Sequence, residues 1–135
     1  MTRSELLKLM KEQISDEERK LLAAGSGLII NQFNRQNVLR LLSMNDPFEG
    51  SEDDLDEPGV YTLRDSLQSY LKKYMAEQPD AHKWIVISCL FQTFIAKEPM
   101  HPQSSTKWTE VDGHIKCPTY DPSEGSLCKW CVCEP

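Results

Sequence analysis

The stretch WIVISCLFQTFI, residues 84–95, decides the fold. Its apolar side chains cover nearly the whole circumference of a helix, and such a helix belongs at the centre of a bundle. The run is too short and too polar to span a bilayer. A helix over 81–97 is therefore expected as the central element, with Asp80 as its N-cap after Pro79. Cys89 lies inside the apolar run and reads as a small buried hydrophobe. His82, in the first turn, reads as a surface side chain.

Four more helices are expected upstream, so the fold class is mainly α, a bundle of about five helices. Residues 3–14 carry Leu6, Leu9, Met10 and Ile14 on one face, behind a Thr2/Glu5 capping-box pattern. Ser15 and Glu18 repeat that pattern, and the second helix stops at Gly25-Ser26-Gly27. The third covers 28–44, with Ile29, Phe33, Val38, Leu41 and Leu42 as its apolar stripe and the amide-rich stretch 31–37 as a solvated face. The fourth covers 61–76, with Leu63, Leu67, Tyr70, Leu71 and Tyr74 inward. Between them, 45–59 reads as a loop with seven acids: Asp46, Glu49, Glu52, Asp53, Asp54, Asp56 and Glu57. Asp46 and Glu57 have the separation of a calcium loop, but Ser51 stands where its turn needs glycine and Phe48 where it needs a ligand.

Downstream of Pro99 the texture changes. Asp112-Gly113, between the β-capable segments 107–111 and 114–117, signals a hairpin, with Trp108, Val111 and Ile115 able to pack it on the helices. The tail then carries Cys117, Cys128, Cys131 and Cys133, and His101 and His114 lie upstream of them. Cys128 and Cys131 form a C-x-x-C, whose spacing lets two thiolates converge on one tetrahedral ion. With Cys117 they offer three sulfurs, and His101, His114 and Cys133 compete for the fourth place. Cys133 is only one residue beyond Cys131, which makes convergence of both sulfurs awkward. His114 sits at the hairpin turn, pointing outward. His101 stands in a rigid extended stretch between two prolines. Zinc is the expected metal, and an iron–sulfur cluster is the alternative. Unliganded reduced thiols form the plain alternative. A thioredoxin-type redox pair lacks its strand–helix setting.

The chain of 135 residues reads as one domain, a helical body over 1–98 and a metal-binding tail over 99–135. A net charge of −6 argues against a general nucleic-acid or membrane-surface binder, which needs a basic patch. The opening TRSELLKLMKEQI is charged and lacks the continuous apolar core of a leader, so a cytoplasmic protein is expected. In that setting clustered cysteines point to metal. G-x-S-x-G, phosphate-loop and H-E-x-x-H motifs are absent, which leans away from an enzyme. A zinc hydrolase would draw its base from Glu98 or Glu110.

FQTFIAKEPMHPQSSTKW, GHIKCP and LCKWCV resemble the C-terminal part of an uncharacterised, largely archaeal family, best represented in methanogens. The family pattern is His-Pro, Cys-Pro and a closing C-x-x-C, matched at His101-Pro102, Cys117-Pro118, Cys128 and Cys131. The resemblance implies a Cys₃His set and a domain of unknown function. This chain departs from the pattern by adding Cys133 and by following His-Pro with QSST. The expected function is thus an interaction module stapled by structural zinc, with a protein partner. An iron–sulfur or metal-handling redox protein is the alternative.

Overall fold

The computed structural model describes residues 1–44, 55–124 and 126–134. Its elements are α1 (Arg3–Glu12), α2 (Asp16–Ala24), α3 (Gln32–Ser43), α4 (Glu57–Tyr74) and α5 (Pro79–Leu90). A π-helical segment (Phe91–Ala96), a single-turn α6 (Gln103–Thr106), the strands β1 (Thr109–Val111) and β2 (His114–Lys116) and a 3₁₀ turn (Leu127–Trp130) complete the order. The fold is mainly helical, with one small antiparallel sheet near the C-terminus. Among the described residues no helix is long and apolar enough to cross a membrane.

Local chemistry sets the helix ends. Both capping boxes form: Thr2 and Glu5 exchange bonds at the start of α1, and Ser15 and Glu18 do so at the start of α2. Gly25, at φ 76°, ends α2 in the left-handed region that glycine enters without strain. The Arg35 side chain then reaches back to the Leu22 and Ala23 carbonyls at 2.8 and 3.4 Å. α3 begins four residues later than the periodicity suggests, because the Asn31 side chain caps it by accepting from the Asn34 N–H at 2.8 Å. α4 begins earlier, at Glu57, since Pro58 in its first turn is pre-set for a helix. Only 45–54 of the expected acidic loop lies outside the described residues, and with it most of the calcium-like spacing. α5 also starts on a proline. Gln78, not Asp80, holds its N-cap position, and Asp80 falls in the first turn, where its charge meets the positive end of the helix dipole.

α5 packs between α3 and α4, and Trp84, Ile87, Leu90 and Phe91 bury against Val38, Leu41, Leu63, Leu67 and Leu71. The facing surface of α3 is not the expected one. Asn34 and Asn37 are buried, whereas Ile29 is 49% exposed and precedes the helix. Asn37 donates through Nδ2 to the Ser88 hydroxyl at 2.9 Å, and its Oδ1 accepts from Arg40 at 2.8 Å. The amides at 34 and 37 thus form a polar seam inside the bundle. A purely apolar reading of helix faces misses it, because position 37 falls one turn before Leu41 on the inward side. On α4, Leu63, Leu67 and Leu71 turn inward as expected, but Tyr70 and Tyr74 stay exposed, their rings 4.7 Å apart. His82 donates through Nε2–H to the Met75 carbonyl, 2.7 Å away, and so closes the α4–α5 connection.

The expected helix over 81–97 changes character at Phe91, where the wider π-helical turn begins. Lys97 ends it at φ 53°, and the N–H groups of Lys97 and Glu98 both close on the Gln92 carbonyl. The Gln92 side chain, itself buried, donates to the Pro99 carbonyl at 2.8 Å, and Arg40 grips Glu98 at 2.5 and 3.1 Å. The chain therefore leaves the body along a fixed path, and Met100 joins the core.

These contacts generate two predictions. Asn37→Ala leaves the Ser88 hydroxyl buried without its partner and costs about 1–3 kcal/mol. In a urea double-mutant cycle, the Asn37→Ala/Ser88→Ala double variant regains part of that loss; strictly additive single losses would show that the two do not interact. The second concerns Glu18, whose carboxylate receives the Lys83 ammonium at 2.8 Å. Burial raises its pKa, but Lys83 and Ser15 outweigh burial and hold the carboxyl below its usual range. Its stabilisation is therefore complete above the unfolded-state pKa and disappears as pH falls through the lower folded value. Glu18→Gln is expected to flatten the acid limb of a melting-temperature profile below about pH 4.5; the effect is small because the pair is solvent-screened.

Candidate metal centre

Alternation along short strands sorts the tail residues. β1 and β2 pair as Thr109↔Lys116, Glu110↔Ile115 and Val111↔His114. Asp112 (φ 52°) and Gly113 (φ 80°) make the turn, both left-handed as a two-residue hairpin requires. Val111 is 59% exposed and does not help pack the hairpin on the helices. A third extended segment runs parallel to β2. Glu134 N–H donates to the Ile115 carbonyl at 2.7 Å, Cys117 N–H donates to the Glu134 carbonyl at 3.1 Å, and Lys116 and Glu134 stand opposite one another. Successive side chains point to opposite faces. His114, Lys116 and Glu134 accordingly share one face, and Ile115, Cys117 and Cys133 take the other.

The first face is an ion cluster. Glu134 accepts from Lys116 at 2.7 Å and pairs with His114 Nδ1 at 2.9 Å. Bonds from Lys116 first and His114 next hold its carboxyl down at about 2. His114 is thus engaged on the side away from the cysteines, in keeping with its expected outward orientation.

The second face gathers thiols. Cys131 has extended dihedrals (φ −72°, ψ 150°) but lies at a bend that continues through Val132, so the 131–133 spacing is not that of a regular strand. Cys131 and Cys133 line the same cavity as Cys117. Cys133 is buried, and its thiol is pushed up to about 12 by burial first and by the two neighbouring thiols next. Cys117 has the opposite balance. Its slight burial raises the pKa, but bonding with Thr119 (3.2 Å to Oγ1) draws it below the ordinary thiol value. The Cys131 sulfur accepts the Met100 N–H at 3.4 Å.

Cys128 sits in the 3₁₀ turn, whose start is fixed by the Ser126 hydroxyl accepting the Cys128 N–H at 3.0 Å. The turn rests on α4, where Trp130 lies against Gly59; a Cβ there would come within 3.3 Å of the indole. All five cysteines and His101 line one cavity of about 550 Å³ between the tail and the α4–α5 face. His101 is exposed at its rim, with its carbonyl accepting from Trp108 Nε1 at 3.1 Å. Cys89 packs against the core, as its place in the apolar run suggests, and also borders this cavity. Its thiol is pushed up to about 12 by burial and then by Cys131. It shares with Ile85, one helical turn earlier, the α5 stripe that faces the cavity, and that i, i+4 spacing was the available signal. Glu98 is held by Arg40 and Glu110 lies exposed on β1; neither lines the cavity. Among the described residues no three histidine, cysteine or carboxylate side chains already surround a common point at ligand distance.

The chain is similar to a UPF0305 protein of Methanocaldococcus jannaschii, with 29% identity over 96 residues. That match covers 64% of this chain, and the chain spans 57% of the length of that relative. No solved structure matches the chain. The family model described as "Uncharacterized protein conserved in archaea (DUF2115)" matches residues 2–135, and the chain belongs to that archaeal family.

Proposed function

We propose that this protein is a helical interaction module whose cysteine tail closes around a structural zinc ion. The observation that carries the reading is that Cys117, Cys131 and Cys133 line one cavity, with Cys133 buried in it. Cys128 and His101 border the same cavity and compete for the fourth place, while His114 is tied to Glu134. Thiolates suit zinc, and a closed four-ligand site is structural. The Met100 N–H already directed at the Cys131 sulfur, and the Thr119 hydroxyl at Cys117, are the outer hydrogen bonds that orient and stabilise metal-bound thiolates. Zinc would draw the side chains inward and join β2, the 131–134 segment and the 3₁₀ turn on α4. The exposed Tyr70–Tyr74 pair lines the same cavity and supports a contact surface there, since aromatic side chains are enriched at interfaces.

Elemental analysis of protein purified without added metal or oxygen tests the centre. Zinc at one ion per chain is the expected result. Iron with acid-labile sulfide would replace zinc by a cluster, and metal-free protein that takes up neither would end the proposal. Cys131→Ser and Cys133→Ser are expected to lose the ion and to melt lower, because a structural zinc site contributes on the order of 10 kcal/mol to folding. His114→Ala is expected to keep it.

A further inference from the structure

We infer that the cleft where α3 and α5 begin is a binding site for a small uncharged molecule that carries a carbonyl group on an aliphatic body. The cleft has a volume of about 360 Å³, which is within the range of small-molecule sites. The chain leading into α3 supplies one wall, with Ile29 and Ile30. The α4–α5 connection and α5 supply the other, with Met75, Trp84 and Ile85. No cysteine or histidine lines the cleft, so the inference is independent of the zinc reading.

Two polar side chains in this cleft are more than nine-tenths buried and have no hydrogen-bond partner among the described residues. Asn34 is 8% exposed; its backbone N–H bonds to Asn31, but its carboxamide bonds to no other described side chain or backbone group. Trp84 is 2% exposed, and its indole N–H is likewise unengaged. Polar groups buried to this degree ordinarily have a partner. Asn37, one helical turn on, shows the usual arrangement in its bond to Ser88. The little surface that Asn34 and Trp84 keep opens on the cleft they line, and their donors are left for a group that enters it.

The field in the cleft selects the kind of group. Asn31 and Gln78, the N-cap residues of α3 and α5, both line it, and Gln78 makes no side-chain cap. The positive ends of two twelve-residue helices favour an electron-rich oxygen. No charged side chain lines the cleft, so a carboxylate would lose its water without gaining a counter-ion. Asp80, in the first turn of α5, already offsets that helix end and disfavours a second negative charge. A neutral carbonyl oxygen can accept from the Trp84 indole and the Asn34 amide without that cost. The aliphatic walls then cover the rest of the molecule.

The test is a titration of isotopically labelled full-length protein with ε-caprolactam, a neutral cyclic amide, followed by NMR. Saturable shifts of the Trp84 indole N–H and the Asn34 carboxamide are expected, the two signals being assigned by their loss in Trp84→Phe and Asn34→Leu. Asn34→Leu is expected to weaken binding about tenfold, as loss of one hydrogen bond to the ligand does. It is also expected to melt no lower than the parent, because the amide it removes has no partner within the protein. Cyclohexanecarboxylate, similar in size but charged, is expected to bind more weakly. A Trp84 signal that never shifts saturably, shifts confined to Trp108 and Trp130, or undiminished binding by Asn34→Leu overturns the site. Tighter binding of the carboxylate than of the lactam overturns the assignment to an uncharged ligand.

Discussion

Two backbone hydrogen bonds between residue 134 and β2 govern the tail. They tie the last residues, otherwise a loose end, to β2 at a single bridge, and alternation about that bridge does the sorting. Acid and base collect on one side and sulfur on the other. Moving the register by one residue would exchange the faces and carry Cys133 to the solvent side with His114. The ion cluster of Lys116, Glu134 and His114 supports the register from outside, and the thiols occupy the inner face that it creates. Neither group could gather without the backbone pairing, since the residues involved come from segments separated by a long polar loop.

The helical body in turn sets where that small sheet can stand. α5 is packed on both sides by α3 and α4, and its continuation delivers Pro99, Met100 and His101 to the mouth of the cavity. The Gln92 amide and the Arg40–Glu98 pair fix this exit, and Met100 is at once core residue and hydrogen-bond donor to Cys131. Body and tail are coupled through a short run of chain in which almost every residue has a second role.

Much of this was legible in the residues themselves. The capping boxes at Thr2/Glu5 and Ser15/Glu18, the stop at Gly25 and the turn at Asp112-Gly113 depend on neighbours within four positions, so local chemistry suffices to read them. The archaeal family, too, was legible in the His-Pro, Cys-Pro and C-x-x-C spacing. The burial of Asn37 was not, because an amide is polar by composition and becomes a core residue only through a partner, Ser88, fifty-one positions away. The burial of Cys133 was not legible, because it depends on the long-range pairing of Glu134 with β2. The π-helical turn left no mark at all: Phe91, Gln92 and Ile95 fit an α-helical stripe equally well.

That turn has a consequence for how the family's chains can vary. A π-helical segment is an α-helix that has accommodated extra length without lengthening its axis in proportion. The segment Phe91–Ala96 therefore takes up a residue inside the helix, and a chain one residue shorter there would wind as a regular α-helix and leave the bundle on much the same bearing. What it would lose is the wide turn in which the Gln92 carbonyl receives both the Lys97 and the Glu98 N–H groups.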